Sequence, residues 1–461
     1  MHTDEAVNAY IVGQLLEGEV YSYDPQDRHG PALAALSLPL ARMQGARSFS
    51  ELTEAKLRVT SVVAGTITIL LFIAAVEIFG FLPSLLAALL FALAPLPVYY
   101  DRDFIHEPLF CAAVFGLMLS GWRAATKRSV VQAVLAGVCA AFLLAAKETA
   151  LLHFFAMAAA GMFAYLLGRR DAKPVRVSRA VLLVGAAASA FVVIIVILFT
   201  WFGKNGSALP ALLHAVPKVL ARAGGQGHEK PFWYYGHLLT GGWSGGMVMA
   251  LACIGLFISL KQRTASAYQF LAFYTLLLGA IYSVIPYKTP WLALNLWLPL
   301  SLFAARAIAE AWRLAAKQLS PPIAVPIFFS VAVAAVVLIA HDTRKRVFLQ
   351  PADETNPYAY AQTSDDIVGL PAEIVDLARR DGVSDPRIAV IASDPWPLPW
   401  YLRHFNKVGY WQPGQKWEDA DFVITSGDTS EQYADRLHNF RPEFFGVRPG
   451  VLVLLWSPEP K

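Results

Sequence analysis

Charged residues are few in this chain: Asp, Glu, Lys and Arg make up 16% of its 461 residues, against 56% hydrophobic ones. With a mean hydropathy of +0.47, that shortage excludes an ordinary water-soluble enzyme of this size, in which about a quarter of the residues are charged. A membrane protein remains. Cysteine is scarcer still, and Cys111, Cys139 and Cys253 all sit inside apolar runs, which excludes a disulfide framework or a zinc-ligand spacing. A net charge of only +4, spread through loops, carries no nucleic-acid signature. Internal repeats and low-complexity tracts are absent too, which excludes a repeat array.

What the chain has in quantity is long apolar runs. Ten are expected to cross a membrane: 59–79, 82–98, 108–122, 130–146, 150–167, 181–202, 245–260, 267–285, 291–309 and 323–340. Several fall short of the roughly 20 residues of a full crossing, and so extend into polar flanks or sit in thin bilayer. Lys and Arg collect in alternate loops: Arg123, Lys127 and Arg128; Arg169, Arg170, Lys173, Arg176 and Arg179; Lys261 and Arg263; Arg306, Arg313 and Lys317. The positive-inside rule puts these in the cytoplasm and the intervening loops outside a cytoplasmic (inner) membrane.

Residues 1–58 are polar and amphipathic, and are expected to form the first extracytoplasmic loop. No signal peptide or earlier helix is there to carry them across, so a natural first helix is expected upstream of Met1. The multi-span transmembrane domain is then 59–341. After it the composition becomes that of a soluble domain: 387–393, 421–424 and 451–456 read as buried strands, and 367–380, 398–404 and 430–439 as helices. Residues 342–461 are therefore expected to be a small α/β domain on the outer face. Its Trp396, Trp400, Tyr401, Trp411 and Trp417 read either as core or as rings that stack on sugars.

The opening Met1-His2-Thr3-Asp4-Glu5-Ala6 puts two acids in the first turn of an amphipathic helix, with Val7, Tyr10, Ile11, Leu15 and Leu16 at helical spacing and Gly18 as a stop. Acids there complement the helix dipole and commonly do nothing more. The outer loops, however, hold further ionisable groups: Asp101, Arg102, Asp103, His106, Glu107, Lys147, Glu148 and Lys288. Each has an ordinary reading. Arg102 can pair with Asp103 or Glu107, Lys147 can neutralise Glu148 beside it, and Lys288 can snorkel. As a set from four loops on one face, they suit transfer of a group from a phosphate-linked lipid. A carboxylate takes a proton from an acceptor hydroxyl or binds a divalent cation, while Lys and Arg hold the leaving phosphate.

These residues resemble the GT-C superfamily of polyprenyl-phosphate-sugar glycosyltransferases, in the branch of protein O-mannosyltransferases and aminoarabinose transferases. More narrowly, His2-Thr3-Asp4-Glu5-Ala6, His29-Gly30-Pro31, Arg102 to Glu107, Lys147-Glu148-Thr149 and Tyr287-Lys288-Thr289-Pro290-Trp291 are similar to prokaryotic flippase-activity-associated proteins. The resemblance covers residues 1–341. It implies an α-helical polytopic membrane protein, GT-C-like, of about ten spans without its first, followed by the small C-terminal α/β extracytoplasmic domain. It implies Asp4 as general base or metal ligand, with Glu5 as its companion, and Glu107 at the acidic position of the second loop, where the family usually has Asp. Arg102, Lys147, Lys288, His29 and His106 become contacts of substrate or lipid phosphate. Asp101-Arg102-Asp103 offers a DxD-like site, with Asp4, for a divalent cation; no other cofactor is implied. The implied partners are a polyprenyl-phosphate sugar donor, a protein, lipid or glycan acceptor, and membrane lipids, with no nucleic acid. The expected activity is sugar transfer on the outer face, as in mannosyltransferase-like enzymes of protein glycosylation and the cell envelope. The rival is a non-enzymatic lipid-linked-sugar flippase or flippase accessory protein, which the scarcity of acids in the inner loops disfavours.

Overall fold

In the computed structural model all residues are described except 26–27, 169–176, 223, 226–227, 263–265, 418 and 460–461; the loop cations Arg169, Arg170, Lys173, Arg176 and Arg263 thus lie outside the described residues. In chain order the helices are α1 (Thr3–Leu16), α2 (Ala32–Met43), α3 (Glu54–Ala74), α4 (Val76–Phe79), α5 (Phe81–Leu93), α6 (Pro95–Tyr100), α7 (Glu107–Lys127), α8 (Val130–Ala146), α9 (Ala150–Gly168), α10 (Val177–Phe199), α11 (Ala208–Arg222), α12 (Tyr234–Thr240), α13 (Gly242–Leu260), α14 (Ala267–Val284), α15 (Ala293–Gln318), α16 (Pro321–Thr343), α17 (Asp366–Arg380) and α18 (Leu398–Tyr401). The strands are β1 (Arg387–Ile391), β2 (Lys407–Trp411), β3 (Phe422–Ser426), β4 (Phe440–Arg448) and β5 (Val451–Pro458). The protein is a polytopic helical membrane protein with a small C-terminal sheet domain. Two compact units make up the chain: Met1–Glu19, Ala41–Leu57 and Ala352–Lys461 form one, Val20–Leu40 and Arg58–Pro351 the other.

In the second, helical unit, eight helices among the described residues are long and apolar enough to cross a membrane: α3, α7, α9, α10, α13, α14, and α15 and α16 with their flanking turns. Two of the ten expected runs fall on shorter helices. The run 82–98 is split because Pro95 forces Ala94 into an extended conformation (ψ 144°), ending α5 and starting α6. The run 130–146 is α8, whose 17 residues span about 25 Å against a hydrocarbon core of about 30 Å. The core of the unit is α15, with 83% of its most apolar stretch buried, against 11% for α10 and α16. Those two expose Val181, Val184, Val192, Ile323, Phe329 and Val331, an apolar surface that is stable against lipid and not against water. A polar cluster lies between α9 and α14. His153 of α9 is fully buried, and its Nδ1 and Nε2 lie 2.8 and 2.7 Å from the hydroxyls of Tyr274 and Tyr282 on α14.

In the first unit, α1 is nucleated by a capping box: the Asp4 amide donates to His2 Nδ1 (3.0 Å) and the His2 amide donates to Glu5 Oε2 (2.7 Å). Tyr10 packs edge-on against Phe49 and Trp396, with centroids 5.5 and 5.8 Å away. The sheet has the order β2-β1-β3-β5-β4, with β1 parallel to β2 and β3, and β5 antiparallel to β3 and β4. The three strands expected from sequence are the central ones, apolar and buried. The expectation omitted β2 and β4, the two edges: β2 is half-exposed along its length and β4 contains Pro442, which only an edge tolerates. It also extended a helix over 430–439, where only a short 3-10 turn forms at Ser430–Tyr433.

Candidate active site

Glu107, Lys147, Glu148, His29 and His106 of the helical unit meet where α8 ends. Lys147 leaves that helix in an extended conformation (φ −159°, ψ 142°), so its side chain and that of Glu148 point apart. Lys147 Nζ pairs with Glu107 Oε1 at the start of α7, 2.6 Å away, and the pair is nearly dry, with 12% and 3% of the side chains exposed. Glu148 turns the other way, accepting from the Tyr23 hydroxyl at 2.7 Å and lying 2.9 Å from His29 Nδ1. Gly30 makes this possible: a Cβ there would stand 2.3 Å from the Ala145 carbonyl oxygen, so the His29 loop lies on the end of α8 only because residue 30 has no side chain. The Tyr21 hydroxyl donates to the His29 carbonyl (2.7 Å) and fixes the loop from within.

Burial raises the Glu148 carboxyl, but the His29 charge and the hydrogen bonds from His29 and Tyr23 outweigh it, and the group is held at about 2. His106, stacked edge-on to His29 with centroids 5.1 Å apart, is pushed well below its ordinary range by burial and then by the charges of His29 and Lys147. It is therefore a neutral hydrogen-bonding group at pH 7, not a cation. Lys147 also lies 5.8 Å from the centre of the Trp291 ring, which brings the 288–291 turn into the cluster.

Lys288 in that turn is 1% exposed. Its ammonium donates to the carbonyls of Ile285 (2.5 Å) and Lys230 (3.2 Å), and burial lowers its pKa. Among the described residues no carboxylate lies within ion-pair distance of it. Two hydroxyls in the same loops, Thr149 Oγ1 and Thr289 Oγ1, are buried with no hydrogen-bond partner among the described residues. A dry cation and a buried hydroxyl without a partner are each unfavourable, and an anion with several acceptor oxygens is the kind of group that suits both.

The remaining expected site residues lie elsewhere. Arg102 Nη1 donates to the Val347 carbonyl (3.0 Å), and its guanidinium stacks on Phe348 at 4.4 Å; the Asp103 charge acts on it, and Glu107 pairs with Lys147 instead. Asp101 is folded against α3, where a Cβ on Gly65 would meet its Oδ2, and burial pushes its carboxyl up to about 8. A carboxyl protonated at neutral pH is a poor cation ligand in this arrangement, and among the described residues no group of three His, Cys, Asp or Glu side chains is placed to hold a metal ion. Asp4 and Glu5 belong to the other unit. Asp4 is exposed on the first turn of α1, while Glu5 is buried and engaged in the capping box.

Sequence reasoning missed Tyr23, Thr149 and Thr289. The threonines had a readable signal: both Lys-bearing turns, Lys147-Glu148-Thr149 and Lys288-Thr289, set a hydroxyl within two residues of the lysine, a pairing that suits an oxyanion. Tyr23 had none, since its contact is made across 125 residues.

No protein-family model matches the chain, and no curated protein matches it by sequence. Solved structures do match in fold. ArnT from Cupriavidus metallidurans bound to undecaprenyl phosphate superposes with a TM-score of 0.64 at 14% identity, over 98% of this chain and 93% of that one. The archaeal oligosaccharyltransferase AglB from Archaeoglobus fulgidus, in complex with an inhibitory peptide and a dolichol-phosphate, gives 0.55 at 12% identity, over 96% and 70%. The chain therefore has the GT-C fold that these two proteins share.

Proposed function

We propose that this protein is an integral membrane glycosyltransferase that moves a sugar from a polyprenyl-phosphate donor to an acceptor hydroxyl on the outer face of the cytoplasmic membrane. The observation that carries the reading is the pair of dry lysine turns, Lys147 with Thr149 and Lys288 with Thr289, at the edge of the spans. Lipid tails occupy the membrane and a phosphate head group reaches this level, so an anion is delivered where Lys288 has only backbone carbonyls as partners. Undecaprenyl phosphate in ArnT and dolichol-phosphate in AglB are ligands of the same chemistry on the same fold. The narrower kinship, with flippase-activity-associated proteins, rests on the motif set alone.

In the reaction the acceptor oxygen forms a bond to the anomeric carbon as the bond from that carbon to the phosphate oxygen breaks. Asp4 takes the acceptor's proton, and Lys288, Lys147 and the two threonine hydroxyls stabilise the charge that grows on the departing phosphate. A single displacement inverts the anomeric configuration. Neutral His106 donates a hydrogen bond, and the Glu148 carboxylate keeps His29 oriented.

The test is release of free polyprenyl phosphate from a labelled sugar donor by the protein in proteoliposomes. Asp4→Asn keeps the size of the side chain but not its basicity, so release should fall by about 10²-fold or more with donor binding unchanged. Lys288→Ala should instead weaken donor binding. Release at the wild-type rate in Asp4→Asn removes Asp4 from the mechanism, and donor that crosses the bilayer without being consumed replaces the transferase with a transporter.

A further inference from the structure

The sheet unit contains a cleft that the proposed reaction does not use. It measures about 650 Å³ and opens at the carboxyl ends of β1 and β3, within the range of small-ligand sites, about 300–1,000 Å³. Its position follows from topology. After β1 the chain returns to β2 on one side, and after β3 it leaves for β4 and β5 on the other. The loops diverge and leave a crevice, the place where open α/β sheets bind ligands.

Both strands end in a serine and an acid: Ser393-Asp394 after β1, and Ser426-Gly427-Asp428 across the end of β3. Asp394 Oδ1 accepts from the Trp396 amide at 3.2 Å and so holds the turn that brings the indole to the cleft wall, where Tyr10 braces it edge-on. Asp394 and Asp428 are both exposed. Arg448 forms another wall, and its Nη1 donates to Thr3 Oγ1 at 3.1 Å.

We propose that this cleft binds a neutral carbohydrate, through Asp394, Asp428 and the Ser426 and Ser430 hydroxyls on its polar edge and Trp396 on its apolar face. Carboxylates accept from the adjacent hydroxyls of a pyranose, and an indole covers the C–H face of the ring. The Ser430 hydroxyl, which donates to the Gly427 carbonyl (2.9 Å), and the Ser426 hydroxyl, which is bonded to Thr429 Oγ1 (2.8 Å), keep lone pairs to accept. The lining sets Asp394 and Asp428 against one cation, Arg448, a net negative charge that disfavours phosphorylated or acidic sugars.

The experiment uses the full chain in detergent micelles and saturation-transfer NMR with maltotriose, mannotriose and cellotriose at millimolar concentration. Signal is expected on the ring C–H protons of at least one trisaccharide, reduced about fivefold or more in Trp396→Ala and in Asp428→Asn. Asp428 is exposed, so its variant keeps the fold. Asp4→Asn must leave binding unchanged, which separates a failed cleft from a failed base. The assignment is overturned by no transfer to any of the three sugars, by wild-type transfer in both cleft variants, or by binding that chelation of divalent ions abolishes.

Discussion

Two histidines of the helical unit show how position decides what a polar group can do. His29, at the margin of the spans, is matched with the Glu148 carboxylate, which also accepts from Tyr23, and the residue before Glu148, Lys147, forms a dry ion pair with Glu107. His153, inside a span, is matched with two tyrosine hydroxyls and no carboxylate. A neutral imidazole that donates from one ring nitrogen and accepts at the other bonds both neighbours without any charge. In a low-dielectric interior a neutral network of this kind ties α9 to α14 at little cost, whereas ions must be compensated and desolvated. Between these two histidines, the charged contact is the one that a head group can reach, and the one inside the spans is neutral.

The largest effect that tests this contrast is at Glu107 and Lys147. Lys147→Met leaves a buried carboxylate without its cation and should cost about 3–5 kcal/mol of stability, read from denaturation in detergent. The double variant Glu107→Gln with Lys147→Met removes both charges and should recover most of that loss while donor binding stays weak. If the double variant regains donor binding as well, the pair serves the fold and the contrast breaks.

A smaller effect is expected at Glu148, and it depends on pH. The carboxyl lies at about 2 in the folded protein against an ordinary value of 4.5. Its folded pKa is depressed, so its contribution is complete above about 4.5 and is lost as pH falls through about 2. Between pH 5 and 3 wild-type stability should therefore fall more steeply than that of Glu148→Gln, by a difference on the order of 2 kcal/mol. Parallel curves for the two proteins would show that the His29 contact carries no charge.

Much of this arrangement was legible in the sequence. The apolar runs gave the helices, because hydrophobic length needs no tertiary information, and the central strands were visible for the same reason. The site was legible as a set of loops but not as pairs. Lys147 read as the neutraliser of Glu148, its neighbour, yet extended backbone sends adjacent side chains in opposite directions, and Glu107, 40 residues away, takes the lysine instead. Arg102 read as a partner for carboxylates and is matched with a backbone carbonyl and a phenyl ring. The first acids, Asp4 and Glu5, are adjacent in sequence but differ in what the fold does with them. The capping box takes Glu5 and leaves Asp4 exposed, a division set by helix geometry, since only the third residue after the cap can reach back to its amide.

The smallest effect belongs to His153, where the contrast is sharpest. His153→Phe keeps a flat ring against Phe110, which lies 4.8 Å away edge-on, and deletes both hydrogen bonds to the tyrosines. In water two orphaned hydroxyls would be rehydrated; between spans they are not, but unfolded helices in a bilayer also find partners, so the loss should be about 1 kcal/mol and at most roughly 2. Donor binding and release should stay at wild-type levels, because nothing charged is removed. Steric unfolding assays in mixed micelles give the stability and the labelled-donor assay gives the activity. A loss of activity well beyond the loss of stability would mean that His153 passes protons or strain to the margin cluster, and that the neutral network is part of the site and not merely its support.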